Sequence, residues 1–307
     1  LLQPTIRIVR PSSREAADLL APRLEELRQL GLKVLYQDVP VDPLWAYSAG
    51  PPKARAAALQ AALVEKNTDL VWAARGGYGA SDLLPLLDWK RLEAVGEKIL
   101  VGFSDVSALH SALYARLGWR GWHAPMPATA LWRQQSHADI DQLLEFVGDW
   151  VKGSAIAGEL RVKAVSPLPT EEITGRLFGG CFSVLTGLIG TAYFPSSLKN
   201  HIIFIEDVDE SPARLMRVLN QWIQSGALTG VRALVVGYLK DLGQNIPDCA
   251  SYVLEEIARR VEPLPVFHTP LFGHVSPNFT LPIGAEGCIS QGVLTWQLPI
   301  KGREKRV

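Results

Sequence analysis

Short apolar runs alternate with longer stretches of helical periodicity along the first third of the chain, a pattern that predicts a parallel sheet flanked by helices. The strand-like runs are residues 5–9, 33–36, 69–73 and 99–103. Between the first two, Pro11, Ser12 and Ser13 open a helical stretch with Ala16, Leu20, Leu24 and Leu27 on one face, and Gly31 ends it. Residues 53–65 predict an alanine-rich helix and residues 106–113 another. Ligands of such sheets bind beyond the carboxyl ends of the strands. Two polar turns fall there, Arg75-Gly76-Gly77-Tyr78-Gly79 and Gly102-Phe103-Ser104-Asp105.

The rhythm then changes. A proline- and tryptophan-rich connection, residues 119–132, leads into a polar helical stretch, residues 137–150. Beyond it come short strands (159–165 and 172–177), a run of small and apolar residues (179–191), and an apolar strand (201–206) that ends on a carboxylate, Glu206. Ser211-Pro212 reads as a helix N-cap followed by proline at the first helical position, with Asp209 and Glu210 near the positive helix end. Leu215, Leu219, Trp222 and Ile223 supply its apolar stripe. A strand at 232–236, a helix at 248–259 and several closing strands predict an α+β unit with a mixed sheet. The 307 residues exceed what one hydrophobic core usually covers. We therefore expect an N-terminal α/β domain, residues 1–150, and a C-terminal α+β domain, residues 151–307, with the boundary near 150–158.

Charge narrows the class of partner. Lysine plus arginine equal aspartate plus glutamate at 31 each, which leaves no global field for nucleic acid or an anionic membrane and favours a small-molecule partner. The one dense basic run, residues 301–306, reads as a solvated end. Cys181, Cys249 and Cys288 lie far apart without Cys-x-x-Cys spacing, so neither a disulfide framework nor a zinc site is indicated, and a reducing cytosol is the simplest home. No apolar stretch reaches the ~18 residues of a membrane helix and no signal-peptide pattern is seen. The chain starts at Leu1 rather than methionine, which leaves room for a removed N-terminal segment.

Ser104 stands at the sharpest strand-to-helix junction. A serine there is pushed out of the sheet edge, and the Asp105 amide beside it lies at a helix N-terminus, where an acyl oxyanion can use it. Serine and aspartate also cap helices well, so an ordinary N-cap explains the same residues. The glycine turn fails as a dinucleotide site, because Asp82 or Tyr78 occupies a required glycine position, and no lysine followed by Ser/Thr makes a phosphate loop. Its uncovered amides suit an oxyanion donor or a plain tight turn.

A nucleophilic serine needs a base, and the base an orienting acid. Among the histidines, His110 lies on the helix after Ser104, His123 and His137 lie in the connecting region, His201 opens a strand and His268 precedes Thr269-Pro270. His274 sits in an irregular loop, Phe272 to Asn278, where functional side chains are often displayed. Glu206 ends an apolar strand and suits the acid, although a solvated strand-end carboxylate reads the same way. The cluster Glu206, Asp207, Asp209 and Glu210 has no pair of histidines at ligand spacing, which argues against a metal.

Taken together, Arg75-Gly76-Gly77-Tyr78-Gly79, Gly102-Phe103-Ser104-Asp105, Ile203-Phe204-Ile205-Glu206-Asp207 and Gly273-His274 occur in the order and spacing of one family. Over residues 6–289 the chain resembles the LD-carboxypeptidase family of serine peptidases. The resemblance implies Ser104 as nucleophile, Glu206 and His274 as its triad partners, and the backbone amides of Gly77 and Asp105 as oxyanion donors. It also implies a two-domain cytoplasmic protein, commonly a homodimer, without metal or other cofactor. Its reaction would be removal of the terminal D-alanine from murein tetrapeptide, L-Ala-γ-D-Glu-meso-diaminopimelate-D-Ala, in cell-wall recycling. The order Ser, Glu, His also matches α/β-hydrolases, but Val106 replaces the second glycine of Gly-x-Ser-x-Gly and disfavours that fold.

Two alternatives stand beside this expectation. Microcin-immunity peptidases of the same superfamily cleave peptide- or aminoacyl-nucleotide conjugates with a similar triad; they typically carry a longer insertion with an aromatic residue for the base, and no such segment is evident here. A non-catalytic sugar or peptide sensor would use Ser104 and His274 only structurally. For the substrate pocket, residues 119–132 and 179–191 are candidate walls.

Overall fold

The computed structural model describes residues 3–15, 19–40, 47–167, 171–243 and 248–299. Its first half is β1 (Thr5–Val9), α1 (Leu20–Gln29), β2 (Lys33–Tyr36), α2 (Pro52–Val64), β3 (Leu70–Ala73), α3 (Trp89–Val95), β4 (Ile99–Gly102), α4 (Ser107–Leu117), β5 (Gly121–His123) and α5 (His137–Lys152). β3 and β4 are buried at every position, as expected of strands covered on both faces. The strands β2, β1, β3, β4 and β5 lie side by side and pair in parallel. α5 begins at a full capping box, Ser136 with Asp139, and ends at Gly153 in the left-handed region.

The second half supplies β6 (Ile156–Arg161), β7 (Lys163–Ala164), β8 (Ile173–Cys181), α6 (Phe182–Thr186), β9 (His201–Val208), α7 (Pro212–Gln224), β10 (Ala233–Lys240), α8 (Cys249–Val261), β11 (Val266–Gly273), β12 (Leu281–Ile283), β13 (Glu286–Ser290) and β14 (Val293–Leu298). Eight of these strands form one mixed, curled sheet, ordered β6-β14-β13-β8-β9-β10-β11-β7. Its centre, β8 to β11, is parallel and its flanks are antiparallel. The chain is thus two α/β domains. One strand crosses between them: β12 leaves the second half and pairs antiparallel with β5 at the edge of the first sheet, Leu281 facing His123.

Several expectations need correction. The helix placed from Pro11 begins only at Leu20, because Ser12 and Ser13 belong to a loop tied to the glycine turn; Ala16 lies outside the described residues. Residues 301–306 lie outside them too. His123 is not in a connection but ends β5. Trp119, Trp122 and Trp132 are buried among core side chains rather than lining a pocket. On α7 the stripe is Leu215, Leu219 and Trp222, whereas Ile223 is exposed. The capping role of Ser211 holds: its side chain accepts from the Arg214 N–H.

Candidate active site

The ends of β4 and β11 and the body of β9, which continues two residues past Glu206 rather than ending on it, deliver the candidate side chains to one place. β4 runs out through Phe103 in extended conformation, and Ser104 follows at φ +62°, a left-handed backbone unusual for a residue with a Cβ. A short 3₁₀ turn, Ser104–Val106, then runs straight into α4. This sharp reversal presents Oγ beyond the sheet edge. Strain of this kind, of order ~1–3 kcal/mol, persists only where the surroundings over-determine it.

Those surroundings are the glycine turn. A Cβ on Gly76 would sit 2.8 Å from Ser104 Cβ, 3.0 Å from its Oγ and 3.4 Å from the Asp105 amide, so only glycine lets the turn approach this closely. Gly77 has φ +117°, and a side chain there would collide with Ser13. The Tyr78 N–H donates to Ser13 Oγ at 3.0 Å, and the Ser13 N–H donates to the Gly76 carbonyl at 3.3 Å. Asp105 ties the two turns together by accepting from the Ala80 N–H at 2.8 Å; burial pushes its carboxyl up, against the pull of Ser12, Ala80 and Arg55. Buried Arg55 braces the far side, donating to the carbonyls of Gly79 (2.7 Å), Gly50 (2.8 Å) and Pro11.

His274 follows the end of β11. Its Nε2 lies 3.1 Å from Ser104 Oγ and its Nδ1 2.7 Å from Glu206 Oε2. Glu206 lies in β9 and is fully buried, whereas His274 stays partly open. Phe103 packs on the imidazole with a centroid separation of 4.9 Å. The loop is held by the Gly273 N–H donating to Asn278 Oδ1 (2.9 Å) and by the Asn278 N–H donating to Gln135 Oε1 (3.0 Å). Gly273 has φ +109°, and a Cβ there would come 2.8 Å from Glu206 Cβ and 2.9 Å from Oε2.

The electrostatics favour a carboxylate beside an imidazole that readily takes a proton. Burial raises the Glu206 carboxyl, but the charge of His274, its hydrogen bond to the carboxylate and the nearby His123 imidazole outweigh burial and bring it down to about 2. Burial likewise lowers His274, and the Glu206 charge and hydrogen bond outweigh that and raise it above its usual range. Asp207, next in the strand, accepts from Ser183 N–H and Oγ and is pushed up to about 6 by burial and by the Glu206 charge. The run 179–191 reaches this neighbourhood through Cys181, whose N–H donates to Ser107 Oγ at 3.0 Å.

The other histidines are accounted for elsewhere. His110 is buried against the Leu100 carbonyl and pushed down to about 3, His201 pairs with Tyr114, His268 contacts the Val236 carbonyl, and His137 opens α5. Sequence reasoning named His123 and Asn278 without giving either a role, and passed over Gln135 and Arg55. Only His123 carried a usable signal, a polar residue closing the run Gly121-Trp122-His123. Asn278 and Gln135 meet across 143 positions, a pairing that no local pattern records.

Comparison with known proteins identifies the family and the fold. The LD-carboxypeptidase N-terminal domain matches residues 6–124 and the LD-carboxypeptidase C-terminal domain residues 174–289. A carboxypeptidase-type protein of Streptomyces coelicolor is 33% identical over 307 residues, 91% of each chain. The murein tetrapeptide carboxypeptidase of Pseudomonas aeruginosa is 28% identical over 303 residues, covering 95% of this chain and 94% of its own. Among solved structures, muramoyltetrapeptide carboxypeptidase from Oxalobacter formigenes superposes with a TM-score of 0.81 at 25% identity, covering 96% of this chain and 98% of that one. The microcin self-immunity protein MccF, in complex with glutamyl sulfamoyl guanosine, shares the fold, with a TM-score of 0.79 at 21% identity over 98% and 97% of the two chains. Two matched domains spanning most of the sequence and a 33% identical full-length relative establish that this chain belongs to the LD-carboxypeptidase family of serine peptidases.

Proposed function

We propose that the protein is a serine LD-carboxypeptidase that releases the terminal D-alanine from murein tetrapeptide in cytoplasmic cell-wall recycling, working as a homodimer. We place the domain boundary in the 150–158 interval, just after α5 ends at Lys152, with β12 returned to the first sheet. What carries the reading is one continuous relay: Ser104 Oγ at 3.1 Å from His274 Nε2, and His274 Nδ1 at 2.7 Å from a buried Glu206.

In this reading His274 takes the Ser104 proton as Oγ attacks the carbonyl on the L-centre of diaminopimelate. The Gly77 and Asp105 amides receive the developing oxyanion; losing one such donor typically costs ~10²–10³ in turnover. The imidazolium, stabilised by ionised Glu206, protonates the departing D-alanine nitrogen as the C–N bond breaks. Water then enters, gives its proton to His274 and attacks the acyl carbonyl, and Ser104 leaves with that proton. Neutral His274 is the competent form, and Glu206 holds its pKa above the usual 6.5. Activity should therefore rise through an acid limb lying above pH 6.5.

The test is mass spectrometry of purified protein with murein tetrapeptide and, separately, with an aminoacyl-nucleotide conjugate, alongside Ser104→Ala and a chelator. Release of D-alanine that needs Ser104 and ignores the chelator is expected. Cleavage of the nucleotide conjugate alone would move the substrate assignment, and turnover of neither would replace catalysis by ligand binding.

Gly273→Ala is a sharper probe of the geometry. The added methyl must displace Glu206 or the His274 loop, and misplacing a reacting group by about 1 Å costs on the order of 10²-fold. We expect that loss in kcat, with KM little changed. Wild-type kcat in a folded Gly273→Ala protein would contradict the arrangement.

A further inference from the structure

Glu206 has a second face that the relay leaves unused. Oε2 is taken by His274, whereas Oε1 has no hydrogen-bond partner among the described residues and faces His123 Nε2 at 3.7 Å. Both side chains are 0% exposed. Neither ring nitrogen of His123 has a hydrogen-bond partner among the described residues. The imidazole stands inside a cage of Phe103, Phe204 and Phe272, with centroids 5.6, 5.7 and 6.0 Å away, and these rings offer it no acceptor.

An unmet polar atom in such a place costs about 1–3 kcal/mol, and a charged one more. Here two complementary orphans face each other. Closing the gap to the ~2.8 Å of a charge-assisted bond satisfies both at once, a tightening of the kind that catalytic hydrogen bonds undergo when substrate binds. The contact also joins the two domains, since His123 ends β5 of the first sheet and Glu206 lies in β9 of the second. The backbone contributes as well: His123 pairs with Leu281 of β12, the strand that follows the His274 loop.

We propose that His123 is a positioning residue whose Nε2–H donates to Glu206 Oε1, so that one carboxylate is clamped between two imidazoles and its plane is set for His274. This rests on the relay proposed above. The titratable groups facing the pair are His274 after β11, Asp207 beside Glu206 on β9, His110 on α4, and Cys181 opposite Glu206 on β8, whose thiol is kept protonated by burial and by the charges of Asp207 and Glu206. His110 stays neutral because burial pushes it down to about 3. Asp207 is committed to Ser183.

A donor on Oε1 stabilises the state with ionised Glu206 and neutral His274 more than the state that holds one more proton. Removing that donor raises the apparent pKa of the pair, and the acid limb of kcat/KM moves to higher pH. The decisive variants are His123→Phe, which fills the aromatic cage without a donor, and His123→Gln, which restores an N–H in a poorer shape. The Phe variant should lose about 10- to 100-fold in kcat with KM nearly unchanged, the usual scale for a group that orients a catalytic side chain. Its acid limb should rise by about half a unit or more, and the Gln variant should recover much of both. A merely structural histidine predicts the reverse order, with Phe the better replacement.

The ¹⁵N NMR titration of His274, recorded without substrate on the same proteins, separates this inference from the substrate assignment. If wild type fails to cleave the tetrapeptide, that assignment falls, while an upward titration shift in the Phe variant still supports the clamp. An acid limb or His274 titration in the Phe variant that coincides with wild type overturns the clamp, whatever happens to kcat. Should the Phe variant not fold, His123→Leu makes the same comparison.

Discussion

Replacing Ser104 by alanine should lower D-alanine release by about 10⁴- to 10⁶-fold, the loss seen when one member of a catalytic unit is removed. Without Oγ, His274 has no proton to take and no acyl-enzyme can form; what survives is the contribution of the oxyanion donors and of binding. KM should stay close to wild type, because Oγ acts on the reacting carbon rather than on the substrate's ends. Stability should change by only about 1 kcal/mol, through loss of the 3.1 Å contact to His274. The backbone strain at φ +62° remains, since alanine also carries a Cβ. Ser104→Gly should therefore be equally inactive but melt higher than Ser104→Ala, glycine being free to adopt that backbone. Mass spectrometry and thermal melts of the two variants decide the matter. Retention of more than about one-hundredth of wild-type turnover by Ser104→Ala would remove the serine from the reaction, because triad members act as a unit.

The features legible in the sequence are those with a local cause. Ser104, Glu206 and His274 each stand where an apolar run gives way to polar residues, and strand ends are where α/β sheets expose chemistry. The parallel first sheet was legible for the same reason, since its central strands are written as unbroken apolar runs, Leu70–Ala73 and Ile99–Gly102. What stayed hidden depends on distant partners. Ser12 and Ser13 have the composition of a helix start, but their loop is pinned to the glycine turn more than sixty positions away, and α1 begins at Leu20 instead. The return of β12 to β5 joins residues about 160 positions apart through three backbone pairs, too short a strand to leave a periodic trace. His123 looked like a loop histidine because its strand is only three residues long. The fully buried partner that explains it, Glu206, becomes visible only when two sheets are brought together.

Glu206→Gln should be the most informative change at the site after the serine, with an expected loss of about 10⁴ in kcat. The amide is nearly isosteric, so the packing around β9 should survive. Two things fail. If the amide nitrogen faces His274, the imidazole is held in the wrong tautomer; if the amide oxygen faces it, the tautomer is right but no charge supports the imidazolium. The pH behaviour tests this independently of rate. In wild type the Glu206 charge raises His274 against its burial; with that charge gone, burial alone acts and the acid limb of the residual activity should fall to lower pH. This is opposite to the shift expected for His123→Phe, where the carboxylate remains and loses only its second donor. Stability carries a matching signature. A carboxylate brought down to about 2 in the folded state contributes stability above its unfolded value of 4.5, and that contribution disappears as pH falls from 4.5 toward 2. His274 has the reverse sign: its raised pKa contributes stability fully present below 6.5 and lost as pH climbs through the folded value. Melting curves of Glu206→Gln from pH 3 to 8 should therefore flatten at both ends relative to wild type, at the acid end because no carboxylate is left to protonate and near neutrality because His274 no longer has a charge to pair with. Parallel wild-type and variant curves, together with an unmoved acid limb, would mean that Glu206 does not carry the charge on which the relay depends.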